Sequence, residues 1–193
     1  NNVGDDPSRP GIVHRLDKEV SGLMVIAKTQ ASFKNLKKQF QLRTIEKEYT
    51  ALVFGKIDQP SAVISFPLRR AKKGFKMAAL PLTSHGLMNP MGKSAQTQFK
   101  IINNSINYTL LKVKINTGRT HQIRVHLFAY NHPLVGDNIY ATNKTRLLNK
   151  KLGLTRIFLV ADKLSFVDLI GQRHTYTIGL PDELKIILKQ IKL

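Results

Sequence analysis

Apolar positions in the first third of the chain predict a strand, a helix and a second strand. Residues 22–28 form a short apolar run of the kind found in buried strands. Residues 30–43 carry apolar side chains three and four positions apart with lysines between them, which predicts an amphipathic helix. Residues 46–54 form a second strand pattern, which ends at Gly55.

Strand patterns dominate the middle of the chain. The stretch 63–79 predicts two short strands around a basic segment that begins at Arg69. Residues 80–93 are rich in proline, glycine, serine and asparagine, which predicts a loop. Alternate residues within 95–101 and within 111–115 share one face, and this alternation predicts two strands joined by a turn.

The last third of the chain adds two helices and a hairpin. Thr120 is expected to cap a helix over 121–130 whose apolar residues face the core. Residues 157–168 and 173–179 predict a terminal hairpin, and 183–191 predict a final helix. Because strands outnumber helices and short links join them, the pattern predicts an α+β fold with a largely antiparallel sheet.

The charge balance adds a nucleic-acid partner to this picture. The chain has 193 residues, enough for one core, and its 31 lysines and arginines outnumber 12 acids, for a net charge of +19. Such an excess favours a polyanion, because each neutralised phosphate releases counterions, although a generally basic proteome would also produce it. The absence of cysteine excludes disulfides and thiolate zinc sites. No apolar run is long enough to span a membrane and no signal peptide is recognisable, so we expect a monomeric cytoplasmic protein with no membrane partner.

One carboxylate is the leading candidate for chemistry. Asp17 lies between Arg15 and Lys18 and close to Gly22, and the two cations should keep it ionised. No obvious second acid accompanies it, which suits a nucleophile better than an acid–base pair. The alternative is a helix or turn cap, the commonest role of an aspartate in a loop.

A dense polar segment at 117–126 offers partners for that carboxylate. Arg119 precedes the predicted helix start, where free N–H groups and the helix dipole suit a carboxylate or a phosphate. Arg119 could therefore bridge to Asp17, or it could be a surface arginine at a turn. His121 and Arg124 lie off the apolar stripe of the predicted helix, so they could meet phosphate or only solvent.

Aromatic and histidine side chains give weaker signals. Tyr49 lies in the predicted strand 46–54, where it could pack in the sheet, stack on a flipped base or move a proton. His121 and His126 have no nearby carboxylate that would complete a metal cluster. The sequence therefore predicts no metal site.

Taken together, these residues resemble the RluA-type family of pseudouridine synthases. The catalytic signature of that family, H-R-L-D-x-x-x-S-G, matches residues 14–22. Further family motifs match in order and in approximate spacing along the chain. They are A-K at 27–28, K-x-Y at 47–49, K-M at 76–77, G-K-x-A-x-T at 92–97, G-R-T-H-Q-I-R-x-H at 118–126 and H-P-x-x-G-D-x-x-Y at 132–140.

The resemblance implies the pseudouridine synthase catalytic fold, a largely antiparallel mixed sheet flanked by helices and loops. It implies an enzyme that isomerises uridine to pseudouridine in structured RNA, without a metal or an organic cofactor. Ribosomal RNA is the expected substrate, and transfer RNA stays open. By the same resemblance, Asp17 is the catalytic nucleophile, Tyr49 is the active-site tyrosine and Arg119 pairs with the aspartate, while Arg15 helps to flip the target uridine. The expected RNA contacts are His14, Arg15, Lys18, His121, Gln122 and Arg124.

The chain departs from the family pattern at a few positions. Val20 stands where the family usually has threonine, and Val160 replaces a common histidine, but neither position is a catalytic one. Family members usually begin with a strand bearing K-P-x-G and often carry an S4-type RNA-binding domain. Neither feature is found in this sequence, so we expect residues 1–193 to form a single catalytic domain that lacks both.

Two other functions compete with the isomerase. A non-catalytic RNA-binding protein on the same scaffold would need only cations, so the joint presence of Asp17, Tyr49 and Arg119 favours an enzyme. A nuclease would usually need paired acids and a metal ion, and clustered carboxylates are scarce in this chain.

Overall fold

A mixed seven-stranded sheet forms the centre of the structure, a computed structural model that describes residues 3–71, 74 and 76–193. The strands of this sheet are β1 (Ser21–Gly22), β2 (Glu46–Phe54), β3 (Ser61–Ile64), β6 (Thr97–Asn104), β7 (Tyr108–Ile115), β8 (Leu159–Val167) and β9 (Arg173–Thr177). A separate hairpin consists of β4 (Leu68–Arg70) and β5 (Met77–Ala79). The helices are α1 (Gln30–Leu42), α2 (Gln122–Ala129), α3 (Asn143–Leu152) and α4 (Asp182–Gln190).

The order of the strands confirms the predicted α+β class. The sheet runs β1-β8-β2-β7-β6-β3, with β9 also paired to β8. The pairing of β1 with β8 is parallel, and the other pairings of the sheet are antiparallel. The predicted strand over 46–54 and the terminal hairpin are confirmed. The two strands predicted within 63–79 correspond to the hairpin β4–β5, although residues 72, 73 and 75 lie outside the described residues.

Alternation along the central strand β2 divides the core between the two faces of the sheet, because successive side chains of a strand point to opposite sides. Tyr49, Ala51 and Val53 join α2 in one apolar cluster. Leu52 and Phe54 join α3 and α4 in a second cluster on the other face. The face that carries Tyr49 and α2 is therefore the face that builds the candidate site.

Helix α1 forms where its apolar spacing predicts it. Thr29 caps its N-terminus by accepting a hydrogen bond from the Ser32 N–H at 3.2 Å. Its buried residues Phe33 and Leu36 pack in a third apolar cluster with Leu164 of β8. The helix therefore covers the end of the sheet beside the segment that leads to β1.

The strand predicted over 22–28 is largely wrong, because only Ser21 and Gly22 pair with β8. Gly22 has φ +135°, and a Cβ at that position would lie 2.3 Å from the carbonyl oxygen of Ala161. This close approach holds the chain against β8 for two residues. Leu23 and Val25 then pack with α1 in the third cluster instead of continuing the pairing.

Helix α3 was not predicted: its fully buried residues are the polar Thr145 and Asn149, and only the partly buried Leu148 and Leu152 pack in the second cluster. A capping box between Thr142 and Thr145 begins the helix. Asn149, buried to 2% exposure, accepts a hydrogen bond from the Gly136 N–H at 2.7 Å and donates one to the Asp137 carbonyl at 3.0 Å. The helix thus holds in place the turn that carries Asp137.

The helices are short. The 13-residue α1 is the longest, below the roughly 20 apolar residues that cross a bilayer. Within residues 3–71, 74 and 76–193, no helix qualifies as a candidate membrane span.

Loss of the Asn149 side chain should destabilise the fold. We expect Asn149→Ala to lower the free energy of unfolding by about 2–4 kcal/mol, because it leaves a buried N–H and a buried C=O without partners. Urea unfolding followed by circular dichroism measures this loss. The matched control is Asn143→Ala on the exposed side of the same helix, which should change stability by less than about 0.5 kcal/mol. Equal stabilities of the two variants would contradict the role of Asn149.

Candidate active site

A cavity of about 450 Å³ lies against strands β2, β7 and β8. Three parts of the chain line it: residues 13–17 with Val20, the segment from the end of α1 into β2, and the turn that leads into α2. The cavity brings together all but one of the predicted site residues. They are His14, Arg15, Asp17, Tyr49, Arg119, His121, Gln122 and Arg124. Lys18 is exposed and does not line the cavity.

A buried ion pair forms the base of this cavity. Arg124 is only 2% exposed, and its guanidinium grips Asp137 with two hydrogen bonds, Nε to Oδ2 at 2.7 Å and Nη2 to Oδ1 at 3.0 Å. Burial alone would lower the pKa of Arg124. The hydrogen bond and charge of Asp137, with the charges of Asp17 and Glu19, outweigh burial and raise that pKa. The guanidinium is therefore a permanent cation with a fixed direction.

Arg124 also reaches the candidate nucleophile. Its Nη1 lies 3.7 Å from Oδ2 of Asp17, whose side chain is 19% exposed. The cation lies close to the carboxylate, and the partial exposure leaves the carboxylate accessible from the cavity. Arg124 is not solvent-exposed, as its predicted position off the apolar stripe would imply, and its contact with RNA stays a prediction. Helix α2 is buried along all of residues 122–127, so its apolar stripe does not separate core from solvent.

Arg119 does not make the predicted pairing with Asp17. Its Nε donates a hydrogen bond to the carbonyl oxygen of Ser94 at 3.2 Å, and no ion pair within the described residues includes it. Arg119 remains at the cavity wall, half-buried, with its guanidinium directed to the loop before β6. Arg124 thus occupies the place beside Asp17 that the sequence suggested for Arg119.

Hydrogen bonds from Gln122 hold the turn before α2, which carries Arg119. Gln122 is 3% exposed and closes the turn: its Oε1 accepts from the Thr117 hydroxyl and the Arg119 N–H, and its Nε2 donates to the carbonyl of Gln96. Gln122 is therefore a buried support of the turn, and its role as an RNA contact stays a prediction. The prediction that Thr120 caps the helix is wrong, since the N-cap residue is His121.

Tyr49 lies next to the Asp17 carboxylate on the cavity wall. Burial, together with the negative charge of Asp17, raises the pKa of Tyr49 far above its ordinary value. The phenol is therefore protonated at neutral pH. Its hydroxyl has no hydrogen-bond partner within the described part of the chain, so it is free to donate a proton or a hydrogen bond to a bound base.

His14 is held by the protein on two sides. Its Nε2 accepts a hydrogen bond from the Val25 N–H at 3.1 Å, and its ring stacks on Phe40 with centroids 4.7 Å apart. Burial, aided by the charge of Lys47, lowers the pKa of His14 to about 4. The imidazole is thus neutral at physiological pH and offers no charge to a phosphate.

His121 and Arg15 both line the cavity. His121 has a left-handed backbone, with φ 54°, a conformation that costs a non-glycine residue about 1–2 kcal/mol. Its Nδ1 lies 2.8 Å from the hydroxyl of Tyr140, which also accepts a hydrogen bond from the Met77 N–H of β5. Arg15 is exposed where it lines the cavity.

The sequence motifs contained further site residues to which no role was given. Asp137 and Tyr140 belong to the motif at 132–140, and Lys47 belongs to the motif at 47–49. A carboxylate is uncommon in so basic a chain, and this was the available signal that Asp137 neutralises a buried cation. Among the residues that the structure describes, no group of histidine and carboxylate side chains could hold a metal ion.

Comparisons with known proteins agree with this site. The family model described as RNA pseudouridylate synthase matches residues 2–129. An uncharacterised RNA pseudouridine synthase of Chloroflexus aurantiacus is 37% identical over 185 residues, which cover 95% of this chain and 54% of the relative. Ribosomal large subunit pseudouridine synthase D of Haemophilus influenzae is 44% identical over 132 residues, which cover 68% of this chain and 38% of the relative.

A solved structure gives the same result. The human RNA pseudouridylate synthase domain containing 1 has a TM-score of 0.75 at 27% identity, and the match covers 88% of this chain and 68% of that one. The chain spans about half the length of the curated relatives it matches. From its sequence motifs, its fold and these matches, the chain belongs to the RNA pseudouridylate synthase family and to its RluA-type members.

Proposed function

We propose that this protein isomerises uridine to pseudouridine in structured RNA, with Asp17 as the nucleophile. The observation that carries this proposal is the ion pair between Asp17 and the buried guanidinium of Arg124, at the base of a cavity beside the protonated Tyr49. A carboxylate in this position has a neighbouring cation and is partly shielded from water, and both features suit nucleophilic catalysis.

The reaction conserves the atoms of the nucleotide. The N1–C1′ glycosidic bond breaks, the uracil turns within the cavity, and C5 bonds to C1′; N1 finally carries a proton and C5 has lost one. The Asp17 carboxylate attacks either the anomeric carbon of the ribose or C6 of the uracil. The Tyr49 hydroxyl, beside that carboxylate, is positioned to take part in the proton transfers. This chemistry needs neither a metal nor an organic cofactor.

The target base has to leave its stack to reach Asp17, because a carboxylate inside a cavity cannot attack a base held in a helix. The cavity, at about 450 Å³, is within the usual range for small-ligand sites. Arg15, exposed where it lines the cavity, is suited to take the place of the flipped base or to bind its phosphate. Lys18 supplies further charge at the surface.

Ribosomal RNA is the substrate we favour. The net charge of +19 suits a large polyanion, and relatives at 42–44% identity are ribosomal large subunit pseudouridine synthases. Such a substrate would place the enzyme in the cytoplasm, and a monomeric state stays a prediction. Pseudouridine mapping in ribosomal and transfer RNA from cells with and without the gene tests this choice, and a uridine altered only in transfer RNA would overturn it.

Replacement of the nucleophile should separate catalysis from binding. Asp17→Asn keeps the size of the side chain but removes its charge, so we expect RNA binding to persist while isomerisation falls below detection. Tritium release from RNA labelled at C5 of uridine measures the reaction. The control is Asp58→Asn, an exposed partner of Lys56, which should leave activity unchanged. Measurable turnover by Asp17→Asn would rule out Asp17 as the nucleophile. An inactive wild type that still binds RNA would instead favour the non-catalytic RNA-binding function.

The two motif arginines should differ sharply in their effect on turnover. Arg124→Lys keeps the charge but loses the planar fork that holds Asp137 and directs Asp17, so we expect kcat to fall about 100-fold or more. Arg119→Lys makes the same chemical change where the guanidinium contacts only a carbonyl, and should reduce kcat less than about 5-fold. Single-turnover kinetics on folded variants decides the matter, and the opposite order would restore Arg119 as the partner of Asp17.

A further inference from the structure

Lys47 is a cation in the cavity that the proposed chemistry does not use. It lies in β2, two residues before Tyr49, so both side chains point to the cavity face of the sheet. Arg124 is neutralised by Asp137 and Asp17, whereas no ion pair or side-chain hydrogen bond within the described residues includes Lys47. The ammonium therefore stands in the cavity without a counterion from the chain described.

The surroundings of Lys47 make this unpaired charge unfavourable for folding. Burial lowers its pKa, and burial is the sole cause of the shift, so no carboxylate compensates the lost hydration. The nearest stabilising contact is the Phe40 ring, whose centroid lies 5.4 Å from Nζ. His14, on the same side, is neutral and is itself disfavoured as a cation by the charge of Lys47.

An open space adjoins the ammonium on the side of the turn before α2. Gly118 is exposed there, and a Cβ at that position would lie 3.6 Å from the Lys47 Nζ, with no other atom within 4 Å. A missing side chain thus leaves room directly beside Nζ. The next residue, Arg119, adds a second cation to the same wall.

We propose that Lys47 binds a backbone phosphate of the RNA, one that flanks the flipped-out nucleotide, in the space left by Gly118. A phosphate satisfies both features of the site: it supplies the missing negative charge, and it fits beside a glycine whose backbone can be approached closely. A carboxylate of the protein would also neutralise Lys47, but it would fill the space and close the entry. The proposal rests on RNA as the substrate and extends that function to a named subsite.

Phosphate binding explains why the Lys47 ammonium is buried without a counterion. A partly dehydrated ammonium gains more free energy from a phosphate than a fully hydrated lysine does, because the cost of removing its water is met on folding and not on binding. Sites that are built for binding commonly lower the stability of the empty protein in this way. A purely structural lysine would show the opposite behaviour, since its removal would weaken the fold.

The decisive variant is Lys47→Met, which keeps the apolar stem over Phe40 and removes the charge. The matched control is Lys38→Met, at an exposed position of α1 that does not line the cavity. The probe is a short single-stranded RNA with one uridine among adenosines. A second set of probes carries a neutral methylphosphonate in place of the phosphate on the 5′ or on the 3′ side of that uridine.

The expected results are specific to the phosphate. One of the two methylphosphonates should weaken binding to the wild type about 10-fold, the lower end of what a charge-assisted hydrogen bond contributes, and should weaken binding to Lys47→Met less than about 2-fold. The log–log salt slope of Lys47→Met should be smaller by about 0.7. Lys38→Met should respond to the methylphosphonates as the wild type does. The thermal unfolding temperature of Lys47→Met should equal or exceed that of the wild type.

Several outcomes would overturn this inference. If both methylphosphonates weaken the wild type and Lys47→Met equally, Lys47 binds no flanking phosphate. If Lys47→Met unfolds at a markedly lower temperature with an unchanged salt slope, the side chain is structural. Pseudouridine formation by the wild type tests the proposed function separately, so an active enzyme without the methylphosphonate coupling refutes the subsite alone.

Discussion

The buried pair of Arg124 and Asp137 is the interaction on which the rest of the site depends. A guanidinium taken out of water is costly unless every donor finds an acceptor, and removal of one partner of such a pair typically costs about 3–5 kcal/mol. Here the acceptor is itself fixed, because Oδ1 of Asp137 also accepts the N–H groups of Ile139 and Tyr140. The turn that carries Asp137 therefore fixes the direction of the Arg124 guanidinium, which in turn contacts Asp17.

Helix α3 holds the turn that carries Asp137, so the stability of the fold and the geometry of the site depend on the same hydrogen bonds. Asn149 bonds the backbone at Gly136 and Asp137, Asp137 holds Arg124, and Arg124 holds Asp17. Each link joins two elements that are distant in the chain. A change far from the cavity can therefore reach Asp17 through a short series of hydrogen bonds that ends in an ion pair, without a general loosening of the core.

The sequence was informative about elements with a clear period and about motif residues, and less so about buried polar contacts. The helix at 30–43 could be predicted because its apolar spacing reflects one buried face, and the strand 46–54 because residues 49–54 form a short run that is buried on both faces. Helix α3 fully buries only the polar Thr145 and Asn149, and its two core leucines, Leu148 and Leu152, are partly buried, so its apolar signal was short. Arg119 was expected beside Asp17 from its place before the helix start and from the family resemblance, whereas the helical stripe placed Arg124 against phosphate or solvent. Only the fold shows that α2 is buried along residues 122–127.

Gly22 shows that the motif at 14–22 contains residues kept for two different reasons, charge and backbone geometry. Asp17 is in the motif at 14–22 for its charge, whereas Gly22 is there because the backbone passes so close to Ala161 that no side chain can fit. Gly22 fixes one end of the loop against β8. The number of residues between Asp17 and Gly22 therefore limits how far the carboxylate can extend over the cavity. A homologue that kept the aspartate but replaced this glycine would retain the carboxylate and lose the close backbone contact that positions it.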